Sequence, residues 1–237
     1  MSSDVTGIGT TGGRADMYRR ALDIIVSTIL LLVALPVIVI AALGSAVSLR
    51  AFPFFVQHRV GRDGKPFRFV KVRTLPADTP AYVDKHQLDA TRIPAFCQLL
   101  RRLHLDELPQ LGLVLIGQMS LVGPRPEMAV LHDDLPRDFA ELRTSVRPGC
   151  TGLWQISEGC TGLISSAPEY DSFYLNERTF RLDLWVLGRT ALKMIGLRGT
   201  VTLDEVPSWA LARPVERDVE IDLTELERSS VGEPISA

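Results

Sequence analysis

The chain is poor in cysteine, in histidine and in net charge, and each shortage narrows what it can be. Three cysteines in 237 residues, Cys97, Cys150 and Cys160, are an odd number at no metal-ligand spacing. They read as free thiols, with a Cys150–Cys160 bridge as the alternative. The four histidines, His58, His86, His104 and His132, are scattered, and none pairs with another His or Cys at ligand spacing. The bland reading of all four follows, with His104 the one closest to other chemistry. A formal net charge of −2 gives no basis for bulk nucleic-acid binding. No internal repeat is visible, and the chain outside one segment is too polar for several membrane spans.

That one segment is Ile24 to Leu49, 26 residues without a charge, with Pro36 near its middle. Arg14, Arg19 and Arg20 precede it, and Arg50, Arg59, Arg62, Lys65, Arg68, Lys71 and Arg73 follow it. The length suffices to enter a bilayer. A proline removes one backbone donor and clashes with the preceding turn, so a kink is expected at Pro36. Ser27 and Thr28 are candidate partners for carbonyls freed there, although both lie well before it. A kinked helix either spans or dips in and returns. Positive residues favour the cytoplasmic face, and here both flanks are positive, which favours the re-entrant form. A core helix of a soluble protein and a secretory signal, with Ala46, Ser48 and Ala51 as its small residues, are the other readings. The basic zone beside the run suits anionic headgroups or a phosphorylated ligand at the surface.

Further along, residues 1–13 are rich in Ser, Thr and Gly and read as a floppy tail, with a helix beginning near Ala15 or Asp16. Phe54-Phe55-Val56 and Phe67 to Val72 alternate as strands do around Gly61-Arg62-Asp63-Gly64, which predicts a β-hairpin. Residues 76–92 read as an exposed loop. Ala95 to Leu103 reads as a helix with Phe96, Leu99, Leu100 and Leu103 on one face. A second helix is expected from Asp106, with Pro109 in its first turn. Gly117 to Pro126 is expected as a rigid loop, and Asp138 to Ser145 as a short helix. Ser172 to Gly196 is read as one or two helices carrying a stripe of Leu182, Trp185, Val186, Leu192 and Ile195. Order is expected to fade after Gly199 in an acidic stretch poor in aromatics.

Three clusters carry chemistry. In Leu105-Asp106-Glu107-Leu108-Pro109-Gln110-Leu111 two adjacent carboxylates open a helix. An N-cap role accounts for them structurally. The positive end of the helix would also keep Asp106 ionised and welcome a phosphate, so that Asp106 is placed to bind Mg²⁺ or attack phosphorus. In Gly117 to Pro126, prolines bracket Arg125 and limit its backbone, which suits bidentate phosphate binding as well as an ordinary salt bridge. In Arg147-Pro148-Gly149-Cys150-Thr151-Gly152-Leu153-Trp154-Gln155, glycines allow close backbone approach, and Trp154 suits a core or a stacking role equally.

DELPQL, MSLVGPRPE and RPGCTGLWQ, in that order and spacing, resemble the bacterial sugar transferases called monotopic phosphoglycosyl transferases. FFVQHRVGRDGKPFRFVKVRTL is similar to that family's hairpin, the apolar run with Pro36 to its re-entrant membrane helix, and YLNERTFRLDLWVLGRTALKMI to its closing helix. The resemblance covers roughly residues 15–199 and is to the minimal form. It implies transfer of a sugar-1-phosphate from a UDP-sugar to undecaprenyl (polyprenyl) phosphate through a covalent aspartyl-phosphosugar intermediate, with release of UMP. It implies Asp106 as nucleophile, Glu107 as its partner in metal or proton handling, and Mg²⁺ held by the two. It further implies Lys71, Arg73, Arg125, Arg147 and Gln155 at the substrate phosphates. The partners are then the UDP-sugar, the polyprenyl phosphate and the bilayer at the cytoplasmic face of the inner membrane. Amphipathic membrane-facing helices also allow a homodimer.

The fold class expected is mostly helical α+β. A tail over 1–13 precedes a re-entrant membrane helix hairpin over 14–50, a cytoplasmic catalytic domain over 51–199 with amphipathic membrane-associated helices, and a disordered acidic tail over 200–237. Three departures from the family pattern stand out: Gln118 in place of an acidic residue, Leu113 in place of Asn, and Ser157-Glu158-Gly159 in place of Ser-Gly-Arg. Gln118 and the arginine missing from Ser157-Glu158-Gly159 motivate the rival reading, a non-catalytic membrane-bound relative that binds polyprenyl phosphate or a partner in glycan assembly. The sugar itself is not legible.

Overall fold

A computed structural model describes residues 11–80 and 93–212, and the side chains from Asp16 onward. Helix α1, Thr11–Leu49, runs unbroken through Pro36, beginning earlier than the Ala15 or Asp16 expected. One stripe of it is buried: Arg19, Asp23, Ser27, Ala34, Ile38, Ala41, Ala42 and Ser45 recur at helical spacing. The rest of its circumference exposes isoleucine, leucine and valine, and Pro36 is on that side. Only 22% of its most apolar window is covered, which excludes the core-helix reading, since a core helix is buried all round. Ser27 and Thr28 donate to the carbonyls of Asp23 and Ile24, one turn back, and so serve no carbonyl near the proline.

The buried stripe meets the rest of the chain at both ends. Near the start, Asp23 accepts from the Ser120 hydroxyl at 2.9 Å and the Leu121 N–H at 2.8 Å. The Arg19 Nε donates to Asp183 at 2.8 Å, and Arg20 donates to the carbonyls of Val114 and Leu115. Near the far end, the Ser45 hydroxyl donates to the Arg73 carbonyl, and a Cβ at Gly44 would stand 2.4 Å from the Phe96 ring. Buried polar groups so paired fix the register of an apolar rod that would otherwise slide.

The predicted hairpin is present. Strand β1, Phe54–Val60, pairs antiparallel with β2, Pro66–Val72, with Phe55 opposite Lys71 and Gln57 opposite Phe69. Its turn puts Asp63 and Gly64 at positive φ. Helix α2, Ala95–Arg102, follows, but its stripe divides: Cys97 and Leu100 are buried, whereas Leu99 and Leu103 are about half exposed. The second helix does not start at Asp106. His104 turns left-handed at φ 56, Leu105–Glu107 forms a single 3₁₀ turn, and α3, Gln110–Leu115, begins only after Pro109. His is among the residues that tolerate this conformation.

The expected loop 117–126 contains a strand, β3 at Ser120–Val122. It pairs in parallel with β4, Gly149–Thr151, across a connection carrying α4, Ala129–Asp133, and α5, Arg137–Thr144. Then come α6, Leu153–Ile156, α7, Pro168–Asn176, and α8, Phe180–Met194. Leu182 and Val186 of α8 are buried, but Ile195 is exposed, so the expected stripe ends earlier. Asp183 ties three helices, accepting from Tyr174 at 2.7 Å as well as from Arg19. Order does not fade at Gly199. Val201, Val206 and Ala210 are buried in the main core, so residues 200–212 belong to the domain. The remainder of the expected tail, residues 1–10, and most of the expected loop, with His86, lie outside the described residues. The three cysteines are free thiols, which removes the Cys150–Cys160 bridge. The architecture is a mostly helical α+β fold with two small two-stranded sheets.

Candidate functional site

The strand period places Phe67, Phe69 and Lys71 on one face of β2. The two phenylalanines are buried, and the lysine carries that face into a cleft of about 470 Å³. Register brings Phe55, Gln57 and Arg59 of β1 to the same cleft. Arg73 and Thr74, which follow β2, also line it, as do Arg101 and His104 from the end of α2 and Asp106 and Glu107 from the turn after it. Arg125 and Trp154 complete this part of the lining.

Five cations and the carboxylate pair therefore converge. Arg125 approaches Glu107 at 3.5 Å between Nη2 and Oε1. Lys71 and Arg73 both lie over the Phe55 ring, at 5.6 and 5.7 Å from its centre, which helps to orient them. The two carboxylates are pushed apart. Burial and the Glu107 charge hold the Asp106 carboxyl above its ordinary value, against Lys71 and Arg101. Burial acts on Glu107 in the same sense, but Arg125 and then Lys71 outweigh it, and Glu107 lies below its ordinary value. Burial pulls Lys71 below the usual lysine range, with Asp106 and Glu107 opposing. A helix dipole keeping Asp106 ionised is thus not what the structure contains: the residue sits in a three-residue turn, and desolvation dominates.

Of the residues singled out from sequence, Lys71, Arg73, Asp106, Glu107 and Arg125 meet in the cleft. Arg147 and Gln155 do not line it. The Arg147 Nε donates to the Gly117 carbonyl at 2.8 Å, on the side facing the start of α1. The Gln155 amide is buried with neither its oxygen nor its nitrogen hydrogen-bonded. Pro36 lies on the exposed face of α1. Trp154 is both things at once, 6% exposed yet part of the cleft wall. Sequence reasoning missed Arg101 and placed Arg59 only in the general basic zone after the apolar run, not at the site. Arg59 was findable, since it stands at even spacing from Phe55 and Gln57 on the face that carries Lys71.

Arg125 is held from behind. Gly123, Gly149 and Gly152 let three backbones touch: a Cβ on Gly149 would stand 2.2 Å from the Gly123 nitrogen. Arg143, buried against Asp171 at 2.9 Å, donates its Nη2 to the Arg125 carbonyl at 2.7 Å. Arg59 donates to the Pro126 carbonyl at 3.1 Å. The loop bearing Arg125 is thus fixed by two guanidinium groups and a glycine contact.

Residues 14–196 match the family model described as bacterial sugar transferase. The chain belongs to the bacterial sugar transferase family. It is 35% identical over 189 residues to a UDP-glucose:undecaprenyl-phosphate glucose-1-phosphate transferase of Klebsiella pneumoniae, covering 75% of this chain and 40% of that protein. It is 34% identical over 192 residues to an undecaprenyl-phosphate galactose phosphotransferase of Salmonella typhimurium, covering 73% and 39%. The exopolysaccharide production protein ExoY of Sinorhizobium fredii is 31% identical over 201 residues, covering 77% and 87%. The chain thus spans about two-fifths of the length of several curated relatives and most of ExoY. Two departures from the family pattern lie outside the cleft: Leu113 is buried in the core, and Gln118 is exposed elsewhere. The Ser157-Glu158-Gly159 departure lies shortly before cleft residues Gly162 and Leu163.

Proposed function

We propose that this protein is a phosphoglycosyl transferase that moves a sugar-1-phosphate from a UDP-sugar to polyprenyl phosphate, releasing UMP, at the start of glycan or exopolysaccharide assembly. The observation that carries the proposal is the cleft in which Asp106 and Glu107 face five cations beside a helix with an exposed apolar side. A diphosphate donor and a phosphate acceptor both need cations, and a lipid acceptor needs the site near a membrane.

In this reading the exposed apolar side of α1 enters the cytoplasmic leaflet of the inner membrane while its buried stripe stays on the domain. Contact of that stripe with one domain from Arg19 to Ser45 supports both ends lying on the same side. The Ser45 bond to Arg73 links the apolar helix directly to the cleft wall. A polyprenyl phosphate held at headgroup level then reaches Asp106 without the domain leaving the surface.

An Asp106 oxygen attacks the phosphorus that carries the sugar. The bond from that phosphorus to the bridging oxygen breaks, and UMP departs with the electron pair. A phosphate oxygen of the polyprenyl acceptor next attacks the aspartyl phosphosugar, and the Asp106 carboxylate is regained. Lys71, Arg73 and Arg125 bind the phosphates, with Arg125 turning from Glu107 to the incoming anion. Two adjacent carboxylates, one kept ionised, fit Mg²⁺, which takes one or two carboxylates and fills its shell with phosphate oxygens and water. Such an ion supplies neutralisation of the diphosphate charge.

Incubation of the full chain with UDP-sugars, Mg²⁺ and polyprenyl phosphate tests the proposal. Stoichiometric UMP and lipid-linked sugar phosphate are expected with at least one donor. No UMP with any UDP-sugar would favour the non-catalytic relative.

The pH profile carries the pKa directions. Activity needs Asp106 ionised, so it rises with pH through a limb above the ordinary aspartate value. It needs Lys71 charged, so it falls through a limb below the ordinary lysine value. Lys71→Gln removes the charge that lowers Asp106, so the acid limb moves to higher pH and the alkaline limb is lost. An acid limb that stays in place in a kcat/KM profile would show that the two groups do not interact.

Arg143 positions Arg125 without touching substrate. Arg143→Lys keeps a charge for Asp171 but cannot also reach the Arg125 carbonyl with a planar fork. Donor KM is expected to rise about tenfold, the loss of one charge-assisted hydrogen bond, with kcat changed less. A fall in kcat alone would place Arg143 outside donor binding.

A further inference from the structure

A second cationic hollow lies away from the Asp106 cleft and shares none of its lining. Arg19, Arg20, Arg62, Arg147 and Arg178 surround it, drawn from α1, the hairpin turn, the segment before β4 and the link between α7 and α8. Two carboxylates, Asp16 and Asp23, face them, and Asp183 stands behind Arg19. Arginine is therefore in excess. Two guanidinium groups are also only partly used. Among the described residues Arg147 donates its Nε to the Gly117 carbonyl. Arg178 is engaged from behind by Tyr174 and Asp183, with its Nη1 3.5 Å from Asp16. Arg62 is half exposed, with Asp63 at 3.8 Å.

The surroundings are apolar on one side. Ile24 is exposed one turn after Arg20. Ile116, 67% exposed, sits between the two carbonyls, Leu115 and Gly117, that hold Arg20 and Arg147. A cluster of guanidinium groups bordered by exposed isoleucines at the start of an apolar helix matches a ligand with a phosphate and attached acyl chains.

We propose that this hollow binds the headgroup phosphate of an anionic phospholipid of the cytoplasmic leaflet, with its acyl chains along Ile24 and Ile116. It rests on the membrane reading of α1. The ligand pins the start of the helix at headgroup level, while Ser45 and Gly44 pin its far end to the domain. This also gives Arg147 its function, outside the cleft to which its motif pointed.

The test uses the full chain in detergent, titrated with phosphatidylglycerol or phosphatidylcholine of the same acyl chains, with retained lipid counted by native mass spectrometry. The wild type is expected to keep one phosphatidylglycerol in preference to phosphatidylcholine. The preference should fall about fivefold in Arg62→Gln and about fivefold again in Arg62→Gln with Arg147→Gln, at roughly one surface arginine per step. Arg62 lies in an exposed turn, so its variant keeps the fold, which circular dichroism checks. Equal retention of the two lipids, a preference unmoved in the double variant, or displacement by inorganic phosphate alone would overturn the proposal. Flotation with phosphatidylcholine vesicles separates the two readings. A wild type that floats but shows no lipid preference contradicts only the headgroup site, and one that does not float contradicts the membrane reading beneath it.

Discussion

Asp106→Asn is expected to lower turnover on the order of a thousandfold or more, the scale on which removal of a nucleophile acts, while thermal stability is unchanged or rises. Both halves come from the same environment. The carboxyl is buried beside Glu107, and its pKa is raised because the folded state disfavours its charge. An amide of the same shape escapes that cost. A residue placed for packing would behave oppositely, losing stability when changed. UMP release and a thermal unfolding curve on the same preparation check the pair of outcomes. Substantial turnover by the variant would remove Asp106 as nucleophile.

Gly152→Ala is expected to cost the domain about 1–3 kcal/mol, the range for an overpacked core, and to reduce activity more than tenfold. A Cβ there would lie 2.1 Å from the Gly123 carbonyl oxygen and 2.6 Å from Gln155 Oε1. The first neighbour is backbone in the strand end that leads to Pro124 and Arg125, so relief of the clash moves the Arg125 loop. The lower unfolding midpoint is a few degrees, at about 2–4 °C per kcal/mol for a domain of this size. Gly188→Ala is the matched control. Nothing lies within 4 Å of its Cβ, and alanine in a helix interior is expected to gain up to about 1 kcal/mol. Equal behaviour of the two variants would show that the glycine contact does not position the loop.

Local pattern made some of this architecture legible. Alternation around Gly61-Arg62-Asp63-Gly64 is a short-range signal, and the hairpin it predicts is present. The apolar length of α1 was equally plain, whereas the meeting of DELPQL with the proline-bracketed Arg125 followed from the family resemblance and not from local pattern. The parallel contact of β3 with β4 was not readable, because three-residue strands joined across two helices leave no periodicity. The start of α3 was misplaced because a left-handed His104 has no sequence signature. Arg147 and Gln155 share a motif with Trp154, but chain neighbours at a tight turn point in different directions, and only Trp154 reaches the cleft. The tail after Gly199 looked unfolded by composition, yet Val201, Val206 and Ala210 supply widely spaced anchors to the core.

The most direct test of a nucleophilic Asp106 omits the acceptor. The full chain is mixed with UDP-sugar and Mg²⁺ alone, quenched, and examined by intact-mass and peptide mass spectrometry alongside a UMP assay. One equivalent of UMP and a sugar-phosphate mass increment on the peptide containing Asp106 are the expected result. Lipid product formed on later addition of polyprenyl phosphate, with neither adduct nor UMP beforehand, would contradict it.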